Sequence, residues 1–589
     1  MNKITSNIHE SFNAKNLTIK KLCESFIINE HFHKLAGSDH SIMIGPRGSG
    51  KTTLMKMLQI EALSQWEAIE ASNYRSKIAY SGVFIPTDRL WKKQYENLTD
   101  KYHDNVKKLR ALDSIFVFHV LERLSYVVEV RSNRLNPSLF RGVLLSKNDE
   151  VSMVNELSAI WHVNPKINTL KSLNIEMASS KYRLSNYIID DQEDKDYYND
   201  LAFFDIENMV GLLELSVKII NAYFQEGDAK WCFLFDELEL APESIVQPLI
   251  DRLRGGPENI IFKLSLSPYH SDIKITENSN SPMDKQDYTF INLSNVKDDV
   301  GQRFSKQLCQ KIFDRYDFLG DIESFFSEPK KKNNKIVFEE LVEKDPTFSE
   351  YLIQNKIDLS KFEEYKESNK LTLIRKIQFV AHLRNEFIGK SFRLKGRRRA
   401  VDYYSGFKKI CKALEYNPRM LISITNLIAE SFVADKKKPK ISVNEQISAL
   451  EEVYNSYVAL LNTIPIDVDG YDTLYSLVDG LAKEISFYIK GDRFYPEPYG
   501  YFSFSEEPGD DLRKAVGYAL NAGAFVIDDS DRGANANIGS LHGINFRLSY
   551  IFSHKYGLLM NKPRKIEFMK VLRGSKVSDN LSIMQMNLI

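Results

Sequence analysis

Five short apolar runs punctuate the first half of the chain: Ser41–Ile44, Lys77–Ile85, Trp231–Phe235, Asn259–Ser267 and Tyr288–Leu293. Trp231-Cys-Phe-Leu-Phe235 is apolar at every position, which suits a strand buried on both faces of a parallel sheet. Between the runs, apolar positions recur at intervals of three and four, over Thr53–Leu58, over Phe203–Phe224 before Gly227, and over Ser244–Arg254 before Gly255-Gly-Pro257. Strands alternating with helices predict a parallel α/β sheet. The block from about 95 to 200 departs from this rhythm. Leu109, Leu112, Ile115, Phe116, Val120 and Leu124 mark helical spacing there, and the block reads as a helical insertion.

After residue 300 the strand signal fades, and 301–435 reads as helical. Ala434-Asp-Lys-Lys-Lys-Pro-Lys440 is charged and contains proline, and it reads as a linker to a module at 445–575. That module shows helical patterns at Gln446–Leu461, Tyr471–Ile485 and Asp510–Asn521, with a Gly/Pro/Tyr-rich loop at 491–500. A strand pair follows, Ala524–Asp528 and Ile544–Phe552, joined by the polar tip Asp529–Gly539. Helices followed by a hairpin with a polar tip is the order of a winged helix. Residues 1–40 form a lead-in with a helix expected near Lys15–Phe32, and the His31-Phe-His33 pair reads as structural rather than metal-binding.

The stretch with the most specific chemistry follows the first strand. Gly45-Pro-Arg-Gly-Ser-Gly-Lys-Thr52 fits G-x-x-x-x-G-K-[ST] at every fixed position, with a strand before it and a helix after it. Gly45, Gly48 and Gly50 let the backbone wrap a phosphate without Cβ clashes, and Ser49 and Thr53 complete the loop and first turn. Lys51 is placed to reach the β- and γ-phosphates, and the Thr52 hydroxyl to ligate Mg²⁺. The chain is therefore expected to bind a nucleoside triphosphate.

At 589 residues the chain is too long for one core, and two to four domains are expected. Lys+Arg and Asp+Glu both number 79, so no global positive field advertises nucleic-acid binding. Cys23, Cys232, Cys309 and Cys411 form no C-x-x-C pair, which argues against a structural zinc site and for a reducing compartment. No run of about 18 apolar residues occurs, and a cytoplasmic location is expected.

The second chemical element is Phe233-Leu-Phe-Asp236-Glu237, at the end of a buried strand. Asp236 is assigned to hold Mg²⁺ through its water shell, and Glu237 to polarise the attacking water. Glu239 is an alternative base, but its position two residues further on places it outside the strand end. The competing account is that these acids only cap the next helix. In Ile260–Ser267, Ser267 at the strand's carboxyl end is a candidate for contacting the attacking water or the γ-phosphate. Its alternative role, ending a strand before Pro268, stays open.

Together with Asn417-Pro-Arg419 in the helical region, these motifs resemble the AAA+ P-loop ATPases. Leu414–Asn426 resembles the lid helix of the replication-initiator and origin-recognition branch, which also ends in a winged helix. The resemblance implies ATP and Mg²⁺ as ligands, ATP hydrolysis, binding between sheet and lid, and Arg419 as the arginine that touches the γ-phosphate. It also implies assembly with further copies of the chain. Two departures stand out. Lys51 and Asp236 are separated by 185 residues, and the segment Pro268–Asp287, where the family places an arginine finger, contains no arginine. Arg252, Arg254 and Arg303 are the remaining candidates for that role.

Residues 391–413 hold eight Lys or Arg against one acidic residue, including Arg397, Arg398, Arg399, Lys408 and Lys409, with aromatic residues interleaved. Such a stretch suits a phosphate backbone or, equally, a solvated surface. Arg513, Lys514 and Arg532 in the winged-helix-like module are surrounded by Glu506, Glu507, Asp510, Asp511 and other acids, which would repel DNA. Two expectations follow. One is a nucleotide-dependent switch or scaffold that assembles with itself or with an effector protein, as bacterial relatives of this build do in phage defence. The other is an ATP-dependent DNA loader.

Overall fold

The computed structural model describes residues 17–574 except 88–94, 99–100, 102–104, 134–138, 190–200, 271–272, 274, 276–280, 331, 368, 390–400, 436–437, 529–538 and 562–563. Each of the five apolar runs forms a strand: β1 His40–Ile44, β2 Tyr80–Pro86, β3 Lys230–Asp236, β4 Ile260–Leu266 and β5 Tyr288–Asn292. They form one parallel sheet in the order β2-β3-β4-β1-β5. β4 is thus inserted between β1 and β3. The end of β1, where the glycine loop begins, and the end of β3, where Asp236 sits, flank the end of β4. A crevice at the carboxyl ends of such strands is where α/β sheets bind ligands.

Both faces of the sheet are covered, which is why its strands carry few polar residues. One face packs on helices Val106–Arg131, Lys147–Ile160 and Leu170–Ile189, which lie in sequence between β2 and β3, and on Met209–Phe224. Arg131 is buried there at 1% exposure. Its guanidinium meets Glu226, donates to the Arg141 carbonyl at 2.8 Å and lies over the rings of Phe224 and Trp231. The other face packs on Met55, Leu58 and the lead-in. Where the pattern predicts one lead-in helix, the structure has two, Ile19–Ser25 and Glu30–Leu35. The Asn29 side chain accepts from Phe32 N at 2.9 Å and so starts a second helix, a capping event that periodicity does not register.

Beyond the sheet, helices that include Asp298–Arg315, Pro418–Ala434, Val443–Asn462, Leu474–Lys490 and Asp510–Ala522 share one apolar cluster running from Tyr269 to Leu572. The strand pair of the last module is present as β9 Phe525–Ile527 and β10 Phe546–Leu548, in a mixed sheet ordered β11-β8-β10-β9. β8 (Tyr499–Ser503) arises where the sequence suggests a loop ending at 500, and β11 (Arg564–Glu567) pairs with it in parallel. A separate hairpin joins β6 (Pro465–Val468) to β7 (Tyr471–Thr473). The helical insertion, the lid and a winged-helix-like sheet accord with an α/β P-loop architecture. Among the described residues, no helix is long and apolar enough to cross a membrane.

The lead-in is joined to the sheet through His40, whose Nδ1 accepts from Phe262 N at 2.9 Å while its ring stacks on Phe262. Burial, with Lys263 nearby, pushes its pKa down to about 4. Below pH 6.5 the unfolded chain protonates this imidazole while the folded chain resists. His40 therefore supports folding fully above pH 6.5 and progressively less as pH falls toward 4. The loss between pH 7 and 5 is on the order of 2 kcal/mol. In His40→Asn the amide oxygen accepts the same bond without titrating. The expected outcome is a smaller fall in thermal midpoint between pH 7 and 5 than in the unsubstituted protein, and equal falls would contradict it.

Candidate functional site at the ends of β1 and β3

The glycine loop is fixed at its start by main-chain bonds. Gly45 N donates to Leu266 O at 3.3 Å, and Leu293 N donates to Ile44 O at 2.8 Å. A Cβ at Gly45 would lie 2.5 Å from Ser49 Oγ, so the loop can curl back only over glycine. Gly48 and Gly50 take φ of +85° and +94°, conformations that L side chains rarely adopt. Gly50 then starts the helix Lys51–Lys56, whose first N–H groups have no partner within the helix. Lys51 is 8% exposed; its Nζ donates to Gly45 O at 2.5 Å and lies 3.8 Å from Glu239 Oε1. Thr53 follows in the first turn.

Asp236 ends β3 at 2% exposure, and the Thr52 hydroxyl hydrogen-bonds to it. Burial raises its pKa, and the Thr52 bond opposes the rise. Glu237 adopts the left-handed conformation (φ 57°, ψ 39°), and Leu238–Leu240 forms a 3₁₀ turn. This reversal folds Glu239, which lies beyond the strand end, back toward Lys51. Its approach to Lys51 depends on a left-handed turn at a non-glycine residue, which leaves no mark in the sequence. Burial also raises the Glu239 pKa, with Lys51 opposing. Among the described residues Asp236 Oδ1 and Glu239 Oε2 have no hydrogen-bond partner. Buried carboxylate oxygens beside a triphosphate loop are the donor set a hard divalent cation takes. Thr52 and Asp236 thus fit Mg²⁺.

The strand serines divide differently. Ser267 is buried and its hydroxyl donates to Tyr269 O at 3.2 Å, so it serves the turn after β4. Ser265 is the one close enough to Asp236 to favour its ionised form. The arginine-finger candidates have partners outside this cluster. Arg303 pairs with Asp299 at 3.7 Å on the surface, while Arg252 and Arg254 reach the carbonyls of Glu207 and Ser281.

The Asn417-Pro-Arg419 segment lies directly on the loop. The Asn417 side chain accepts from Arg419 N at 3.0 Å, capping the helix Pro418–Ala434, and its Nδ2 donates to Arg47 O at 3.2 Å. A Cβ at Gly48 would lie 2.9 Å from Arg419 Cβ and 3.0 Å from Asn417 Oδ1. The two residues before this segment, Glu415 and Tyr416, are both left-handed (φ 54° and 55°). Backbone of this kind persists only where the surroundings hold it. Glu415 is held by Arg547, with contacts of 2.6 and 2.9 Å, and by Tyr550 N at 2.6 Å. Tyr416 is held by Asp298 at 2.7 Å.

Beside Pro46 and Ser49 opens a cleft of about 730 Å³, counting the space open to solvent at its mouth. Leu293, Val296 and Phe304 form one wall, His31 of the lead-in another, and Pro418 and Met420 of the lid a third. His31 Nε2, Ser49 Oγ and Ser294 Oγ are buried there without partners among the described residues. Burial lowers the His31 pKa, so its ring is neutral at pH 7 and offers both a donor and an acceptor. A mainly apolar cleft with a few convergent polar groups is the form of a small-molecule site. In the sequence His31 reads as a structural residue of the lead-in, and Ser294 carries no signal beyond its place after the last sheet strand.

The basic stretch is partly committed elsewhere. Arg397–Arg399 and Arg532 lie outside the described residues. Lys408 is exposed, but Lys409 donates to Asp402 O at 3.2 Å and lies over the Tyr403 ring, and Lys412 pairs with Asp298 at 2.7 Å. In the last module Arg513 pairs with Asp510 at 2.7 Å. Among the described residues no group of three or more His, Cys, Asp or Glu is set to hold a metal by itself.

Gly48→Ala is expected to combine backbone strain with a clash against Arg419 and to weaken triphosphate binding at least tenfold. Fluorescent-nucleotide titration checks this, and unchanged affinity would contradict the packing described. The family model described as ORC-CDC6-like matches residues 7–568. No curated protein matches the sequence. The matched span includes the parallel sheet, the lid and the mixed C-terminal sheet, and the chain belongs to the ORC-CDC6-like family of AAA+ proteins.

Proposed function

We propose that this protein binds and hydrolyses ATP with Mg²⁺, and that its nucleotide state switches how it assembles with further copies of itself or with an effector protein. The observation that carries this reading is Lys51, buried under the glycine loop between Gly45 O and Glu239, beside two carboxylate oxygens without partners. Lys51 would leave Gly45 O for the β- and γ-phosphates, and Arg419, already against Gly48, would reach the γ-phosphate from the lid. Bound Mg²⁺ supplies charge neutralisation between the phosphates. Thr52 and Asp236 would hold the ion. Glu237 would orient and deprotonate the attacking water; Glu239, brought to Lys51 by the turn, is the competing base. Ser267 is the candidate polar contact from β4, although its hydroxyl already serves Tyr269.

The switch reading is favoured over a DNA loader because Lys409, Lys412, Arg513 and Arg547 are engaged within the chain. Phage defence is the setting that the family resemblance suggests. The loader reading draws on Arg397, Arg398 and Arg399 with the exposed Lys408.

Lys51→Ala should abolish ATP binding, and retained tight binding would remove the site. Glu237→Gln should bind ATP but turn over at least a hundredfold more slowly. Normal turnover in Glu237→Gln with loss in Glu239→Gln would move the base by two residues. The mass of the protein with and without a slowly hydrolysed ATP analogue, repeated with DNA, separates the readings. An ATP-dependent shift without DNA affinity supports the switch. Salt-dependent DNA binding lost on Arg397–Arg399→Ala supports the loader.

A further inference from the structure

The cleft beside the glycine loop takes part of its wall from the C-terminal module of the same chain. The helix Asp510–Ala522 ends against the loop, where Arg47 N donates to Asn521 O at 3.0 Å. The Asn521 side chain closes a two-bond ring with the turn after β4: Tyr269 N donates to its Oδ1 at 2.9 Å, and its Nδ2 donates to Tyr269 O at 2.8 Å. One residue thus ties the backbone of the glycine loop to the end of β4. Gly523 follows with φ +83°, and a Cβ there would lie 3.2 Å from Pro46 Cβ, so the contact is backbone against loop. Gly523, Val526 and Ser549 line the cleft together with Asn29 and His31 of the lead-in.

Ser549 supplies an independent observation. It is 1% exposed, and its Oγ has no partner among the described residues. A buried hydroxyl without a partner costs stability, and it joins Ser49, Ser294 and His31 as unpartnered polar groups around one cleft. The same module also fixes the lid, since Arg547, two residues before Ser549, holds the left-handed Glu415.

We propose that the C-terminal module forms a wall of the nucleotide site in cis, with Ser549 and Gly523 facing the nucleoside end of the bound triphosphate and Asn521 positioning the phosphate loop. The proposal rests on the nucleoside-triphosphate reading above. Its consequence is linkage: nucleotide binds more tightly when the module is docked, and bound nucleotide holds the module down by the same factor. Release of the module would open the site and free the module's own surfaces for a partner at the same time.

Hydrogen exchange of the full chain with and without Mg·ATP tests this, together with Ser549→Ala. Bound ATP should protect peptides spanning 519–527 and 546–550 as well as the glycine loop, and Lys51→Ala should erase all of it. Ser549→Ala removes an unpartnered buried hydroxyl. It should leave the thermal midpoint of the nucleotide-free protein unchanged or raised while weakening ATP binding about threefold to tenfold. A purely structural serine would not split stability from affinity in this way. Protection of 45–52 and 417–420 without protection of the two C-terminal peptides, or unaltered ATP affinity in Ser549→Ala, overturns the inference alone. No protection anywhere overturns the nucleotide reading and the inference with it.

Discussion

The buried ammonium of Lys51 sets the terms for everything around it. A cation at 8% exposure needs oxygen atoms at close range, and here they come from Gly45 O and Glu239. The carboxylates nearby carry the complementary problem, since burial raises the pKa of both Asp236 and Glu239. Each group is tolerable only because the others are present, and their remaining unpartnered oxygens make the cluster receptive to a further cation. A site in this state gains from a bound anion and divalent ion together, because phosphate would satisfy Lys51 and metal would satisfy the carboxylates.

Three separated parts of the chain hold the glycine loop in place. β4 holds the loop through Leu266 O, the lid holds it through Asn417 and Arg419, and the C-terminal module holds it through Asn521. The lid and module are themselves joined by Arg547 and Glu415 and by one continuous apolar cluster. Two consecutive left-handed residues, Glu415 and Tyr416, sit directly before the lid segment that packs on the loop. Their conformation depends on Arg547, Tyr550 N and Asp298 rather than on local preference.

The insertion of three long helices between β2 and β3 explains the 185-residue gap between Lys51 and Asp236 without disturbing the site. β2 and β3 remain hydrogen-bonded neighbours from Tyr80 and Lys230 to Pro86 and Asp236, so the inserted chain leaves and rejoins the sheet across one strand pair.

Much of this was legible in the amino-acid sequence. Buried parallel strands need unbroken apolar runs, so all five strands could be placed within a few residues. A tightly curled backbone needs glycine at fixed positions, so the conformation of Gly45–Gly50 was legible, and the place of Asp236 followed from a charge ending an apolar strand. Tertiary structure decided the rest. The return of Glu239 depends on a left-handed turn at Glu237, and the strand order depends on β4 entering between β1 and β3. β8 exists because β10 and β11 flank it. The meeting of Asn521 and Ser549 with a loop some 470 to 500 residues earlier has no local signature at all. Periodicity and motif report what a segment needs from its own backbone. Which distant segment satisfies its remaining polar groups is settled only when the whole chain has packed.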